Sequence, residues 1–281
     1  MSKMKPASLS LVGGDTAPAP APTKLSLRDV RLEYPARKRG ADPVLAIETI
    51  SFDVPNKEFA VIVGPSGCGK SSLLYLIAGL AEPTGGEILL SGKPVARPGP
   101  DRGMVFQSYT LFPWLTVREN VEFGLKRRKM PAPEREQIVN RYLNETGLAA
   151  FHDSYAKQLS GGMMQRAAIA RAMANNPEIL LMDEPFGALD SQTRSQMQSL
   201  LLKVWEHEHK TVLFVTHDID EAILLADRIY VMTARPGRLK EEITVPIPRP
   251  RTLDMVLEPE FIAVKRHILD LLKNEIQDEA H

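Results

Sequence analysis

Gly64-Pro65-Ser66-Gly67-Cys68-Gly69-Lys70-Ser71 carries the pattern G-x-x-x-x-G-K-[ST], and its flanks decide how it is read. Before it, Phe59-Ala60-Val61-Ile62-Val63 is a short continuous apolar run, the pattern of a buried strand. After it, Ser72-Leu73-Leu74-Tyr75-Leu76-Ile77-Ala78 predicts a helix closed by Gly79. Strand, glycine loop and helix in that order form a phosphate cradle. The glycines let successive backbone N–H groups curl around phosphate oxygens, and the helix N-terminus adds positive potential. Lys70 is spaced to reach the β- and γ-phosphates and the Ser71 hydroxyl to ligate Mg²⁺, with Ser72 completing the cradle. A chain with this segment binds a nucleoside triphosphate.

A second phosphate-facing element follows. Leu159-Ser160-Gly161-Gly162-Met163-Met164-Gln165-Arg166 opens a helix with Ser160 as N-cap, and Asn175-Asn176-Pro177 stops it. Two glycines at a helix start permit close approach of an anion. Next comes Ile179-Leu180-Leu181-Met182-Asp183-Glu184-Pro185, an apolar strand ending in paired carboxylates. Asp183 at the strand tip suits a water-mediated Mg²⁺ contact, and Glu184 suits a base that polarises an attacking water.

The order of these segments, with Gln107, Ala188-Leu189-Asp190 and His217, resembles the nucleotide-binding subunit of an ATP-binding cassette (ABC) transporter over residues 25–232. The resemblance implies an α/β fold: a P-loop NTPase core with a β-rich nucleotide-binding subdomain and an inserted α-helical subdomain. It also implies roles. Tyr34 resembles the aromatic that stacks on adenine, and Gln107 the glutamine that senses Mg²⁺ and the attacking water. Ser160 and Gly162 resemble the donors that clamp the γ-phosphate of a second subunit's ATP. Asp190 resembles the aspartate that links the two sites, and His217 the histidine that contacts the γ-phosphate. Met163 stands where the family pattern carries glutamine, and that methionine is similar to the importer branch serving nitrate, sulfonate and taurine. The stretches 105–117, 183–190 and 234–238 are similar to the same branch. The partners implied are a second copy of the chain, transmembrane permease subunits and, indirectly, a periplasmic or surface solute-binding protein. The place implied is the cytoplasmic face of the inner membrane, held peripherally. The alternatives are a soluble ABC ATPase not coupled to transport and an importer subunit for another small solute.

Composition agrees. The 281 residues are 43% hydrophobic and 25% charged, ordinary for a globular chain. Thirty-five basic and thirty-five acidic residues cancel, so no overall basic field recruits nucleic acid. No apolar run approaches the ~18 residues of a membrane-spanning helix, so a separate permease must supply any membrane path. The proline-alternating segment at 17–22 marks residues 1–23 as an extended or disordered leader. The single cysteine, Cys68, excludes an internal disulfide. Its place at a helix N-terminus predicts either a reactive, maleimide-accessible thiol or a buried inert one.

Alternating strand and helix signals divide the chain. Residues 24–232 read as the ATPase domain, with 24–107 and 175–232 as its core and 108–174 as the helical subdomain. Residues 233–281 read as a C-terminal extension, broken by prolines and then helical, with Phe261, Val264, Ile268, Leu271 and Leu272 tracing one apolar face. Tyr109, Phe112 and Trp114 read either as core aromatics or as the wall of a permease-docking groove. Lys126-Arg127-Arg128-Lys129 reads as a solvated charged face.

Overall fold

The computed structural model describes residues 22–36 and 42–278, with side chains to Lys273. The leader expected over residues 1–23 lies outside the described residues except at its very end, where the first strand begins. That strand, β1 (Thr23–Tyr34), pairs antiparallel with β2 (Val44–Pro55) and with β4 (Gly85–Leu90), and β4 pairs with the short β5 (Lys93–Pro94). The other half is parallel: β6 (Arg102–Val105), β7 (Ile179–Asp183), β8 (Thr211–Thr216), β3 (Phe59–Val63) and β9 (Arg228–Met232) lie side by side in that order. Among the described residues the strands form one ten-stranded sheet.

The parallel strands β3, β7 and β8 are buried along their whole length because both of their faces are covered. Phe59, Val61 and Val63 of β3 point into one core and Ala60 and Ile62 into the other. Leu180 and Met182 of β7 and Val212 and Phe214 of β8 follow the first set, while Leu181, Leu213 and Val215 follow the second. The second core is capped by α1 (Lys70–Ala78) and the antiparallel strands; the first lies under α2 (Val117–Arg127), α3 (Ala132–Glu145), α4 (Gly161–Ala174), α5 (Ser191–Glu208) and α6 (Ile219–Leu225). Each β-strand tip that carries chemistry therefore emerges between two packed layers, at the carboxyl end of a parallel sheet.

A boundary expected from the sequence moves. The extension assigned to residues 233–281 begins with β10 (Gly237–Thr244), which pairs antiparallel with β9 and parallel with β2 and so joins the two halves of the sheet. Leu239 and Ile243 face the cores while Lys240, Glu241 and Glu242 lie between them, which hides the alternation in a charged stretch. Beyond it, α7 (Pro259–Asp278) packs on α6. Phe261, Val264 and Ile268 are buried and Leu271 and Leu272 lie against the same core, the face drawn from the sequence. No helix among the described residues is long and apolar enough to cross a membrane.

Candidate nucleotide-binding site

The loop between β3 and α1 turns on glycines. Gly67 and Gly69 have φ of +79° and +97°, the left-handed region that side chains disfavour. Gly69 is also the N-cap of α1, and no side chain caps that terminus. The first N–H groups of α1 are therefore open to an outside acceptor. Lys70 is 4% exposed and donates to the Gly64 and Pro65 carbonyls at 2.9 and 2.8 Å. Among the described residues it forms no ion pair within 4.0 Å. With neutral partners only, the two carbonyls and Cys68 Sγ at 3.9 Å, the buried ammonium gains from an anion. Cys68 is fully buried, and burial pushes its thiol up, against the smaller opposing pull of Lys70. Of the two sequence readings of Cys68, the structure shows the buried thiol.

The loop borders a cleft of about 910 Å³ lined by Ser66, Gly67, Gly69, Lys70, Ser71, Ser72, Tyr34 and Glu184, with Val44, Ala46 and Arg235 along its side. The Tyr34 hydroxyl donates to Ser72 Oγ at 3.0 Å, holding a half-exposed ring at the cleft's mouth. Arg235 was missed as a site residue: its Nε donates to the Gly67 carbonyl at 2.8 Å, placing a guanidinium over the loop. Gly64, Pro65 and Cys68 form the loop's inner side and do not line the cleft.

At the strand tips, Ser71 Oγ donates to Asp183 Oδ1 at 2.7 Å. Burial raises the Asp183 carboxyl, offset by hydrogen bonds from Ser71 and Tyr75. A hydroxyl and a buried carboxylate converging beside a phosphate cradle are hard oxygen donors, a set that fits Mg²⁺. Glu184 follows with φ +39°, a strained conformation worth about 1–3 kcal/mol for a non-glycine residue. Its Oε2 lies 3.0 Å from His217 Nδ1. A methyl group on Gly187 would sit 3.8 Å from both Glu184 Oε2 and Gln107 Nε2, so these two side chains converge over that glycine.

The remaining expected residues do not enter the cleft. Ser160 caps α4, accepting from the Met163 N–H at 3.3 Å and leaving its own hydroxyl hydrogen free to donate. Gly161 and Gly162 are close-packed instead of open: a Cβ on Gly161 would meet the Tyr109 hydroxyl at 2.8 Å, and one on Gly162 the Thr193 methyl at 2.6 Å. Asp190 caps α5, accepting from the Thr193 N–H at 3.0 Å, and that N–H holds its carboxyl below the usual carboxylate range.

The ABC transporter family matches residues 47–187, half of the chain. A putative ATP-binding protein of Brucella abortus is 52% identical over 245 residues, covering 87% of this chain and 92% of that one. The chain belongs to the ABC transporter family. The nitrate import ATP-binding protein NrtD of Synechocystis is 47% identical over 248 residues, 86% of this chain and 92% of its own. A dimeric, post-hydrolysis ATP-binding cassette bound to ADP and Pi superposes with a TM-score of 0.69 at 35% identity, covering 80% of this chain and all of that one. This chain is an ABC ATPase.

The cassette carries a second concavity, a groove of about 500 Å³ between β6 and the helical layer, lined by Met104, Phe106, Phe112, Phe123, Arg127 and Arg171 among others. Asn120, buried at the start of α2, pins the loop that forms one wall, accepting from the Phe112 N–H at 2.8 Å and donating to the Phe112 and Leu115 carbonyls. Trp114 packs on Phe112 and is 70% exposed. Tyr109 turns away toward Gly161. The basic run expected as a solvated face contributes Arg127 and Arg128 to the groove, and Arg128 donates to the Asn175 carbonyl.

Proposed function

We propose that this cassette powers an importer of a small anion of the nitrate, sulfonate or taurine type, through ATP-driven closure of a homodimer on the cytoplasmic face of the inner membrane. The solute class is supported by the relative named for nitrate import. A second relative is named for bicarbonate transport, of which the chain spans 36% of the length, and it too handles a small anion. The dimer is supported by one observation above all: within a single chain the buried Lys70 cation lines the cleft, while Ser160, Gly162 and Asp190 do not. A second copy supplies them. Each ATP then lies between the Lys70 loop of one subunit and the α4 N-terminus of its partner, where the Ser160 hydroxyl and the Gly162 N–H donate to the γ-phosphate.

In this reading Tyr34 stacks on the adenine, and the loop from Gly64 to Ser72 cradles the phosphates. Lys70 leaves its two carbonyls for the β- and γ-oxygens. Ser71 and Asp183 would hold Mg²⁺, with Gln107 as a further oxygen donor, and the ion when bound would supply charge neutralisation on the phosphate oxygens. Glu184 accepts the proton of the attacking water while His217 fixes the γ-phosphate and, through its contact at 3.0 Å, the orientation of Glu184. Closure moves permease helices seated in the Phe112–Arg171 groove, and hydrolysis reopens the dimer. A periplasmic solute-binding protein delivers the anion on the far side. No nucleic acid takes part.

Glu184→Gln tests this reading. The amide keeps the side chain's shape and removes the base, so ATP should bind and hold two chains together while steady-state hydrolysis falls by at least ~10²-fold. Hydrolysis near the wild-type rate, or no ATP-dependent dimer on size exclusion, would count against it.

A further inference from the structure

Helix α6 begins just after His217, capped by Asp218, whose side chain accepts from the Glu221 N–H at 3.1 Å. It is seven residues long, too short to hold its place by propensity. Its last carbonyls, which no helical N–H can reach, are taken by two arginines from the C-terminal segment. Arg251 Nη1 donates to the Ile223, Leu224 and Ala226 carbonyls at 3.0, 3.3 and 2.5 Å. Its Nε and Nη2 donate to the Ile247 carbonyl. Arg249 Nη2 donates to the Leu225 carbonyl and its Nε to Asp227 Oδ1, each at 2.7 Å, with the guanidinium stacked 3.9 Å over Trp205. Asp227 in turn accepts from the Phe59 N–H, which ties the cluster to the start of β3.

Arg251 is 5% exposed. Burial draws its guanidinium down to about 10, still charged at neutral pH, so the cap is a charge-assisted one aimed at the negative end of the helix. At the other end of α6, Lys265 of α7 pairs with Asp220 at 2.7 Å. The C-terminal segment therefore grips α6 at both ends, and the residue that precedes its N-cap is His217. A shift of α6 along its axis carries His217 off Glu184.

We propose that Arg251 is a positioning residue for His217: the C-terminal segment sets the placement of α6, and through it the reach of His217 to Glu184 and to the γ-phosphate. This rests on the reading of His217 as the γ-phosphate contact. It gives the segment after β10 a part in the ATPase cycle that its packing on the core does not by itself require. A purely structural Arg251 would lower stability and weaken all nucleotides alike. A positioning Arg251 changes the preference for a third phosphate.

The measurement is the affinity of the full chain, with Mg²⁺, for ADP and for a non-hydrolysable β,γ-imido analogue of ATP, in His217→Ala, Arg251→Met and the double variant. Losing one charge-assisted contact to the γ-phosphate should lower the analogue-to-ADP preference by ~10-fold in each single variant. ADP affinity should hold, and the double variant should fall no further than either single. An unchanged preference in His217→Ala would overturn the reading of His217 and the inference with it. A lowered preference there, with Arg251→Met unaffected or the two losses multiplying, would leave that reading standing and overturn the inference alone. Should Arg251→Met fail to fold, Lys265→Met removes the exposed grip at the other end of α6 and should lower the same preference by about twofold; no change would overturn the inference.

Discussion

Lys70 is a buried ammonium whose partners are two neutral carbonyls and the Cys68 sulfur, and Glu184 is a carboxylate held on a strained backbone against His217. A buried cation gains from an anion placed beside it, and a carboxylate fixed on a strained backbone is held in one orientation. The motif residues were legible because phosphate chemistry demands fixed types at fixed spacing: Gly67, Gly69, Lys70 and Ser71 fall where the loop needs them. Arg235 and Arg251 were not, because the reach of a long side chain is set by which loops the fold lays side by side. Asp183 and Glu184 were legible as a pair, but the turn that sends one toward Ser71 and the other toward His217 was not. Cys68 carries the prediction at this scale. With the thiol wholly buried and its pKa pushed up, N-ethylmaleimide should leave the native chain unmodified over the time in which it labels the urea-unfolded chain to completion. Rapid native labelling would mean that the loop opens far more than its packing allows.

Among the elements, the buried strands β3 and β7 were readable as apolar runs and the amphipathic face of α7 from its periodicity, while β6, too short and mixed to stand out, was not. The strand β10 was not, since its ladder partners β2 and β9 come from distant parts of the sequence and its charged residues mask the alternation. Its insertion makes the C-terminal segment part of the sheet, and α7 then closes the core over α6. Phe261 is 1% exposed at the head of α7. Phe261→Ala should destabilise the whole domain by about 3–5 kcal/mol, seen as a lower urea midpoint at unchanged slope. A change under about 1 kcal/mol would show α7 to be a loosely attached tail.

For the whole molecule, what one chain lacks is as informative as what it holds. The cleft gathers a phosphate cradle, an aromatic and a carboxylate, while the Ser160 cap and Asp190 stand outside it. The sequence made the second chain an expectation through family resemblance alone, because no spacing within one chain can state that two halves of a site belong to different copies. The central claim is that sharing, and mixed dimers test it directly. Lys70→Ala removes the phosphate lysine, and Ser160→Arg puts a bulky side chain against the γ-phosphate, so each variant alone should be inactive. In a mixed dimer one site collects both defects and the other keeps an intact loop and an intact signature helix. Combining the two inactive variants, with the permease present to promote pairing and single-turnover hydrolysis as the readout, should restore part of the ATPase activity. Mixed dimers shown to form with ATP, yet with no turnover above either parent, would contradict the shared site.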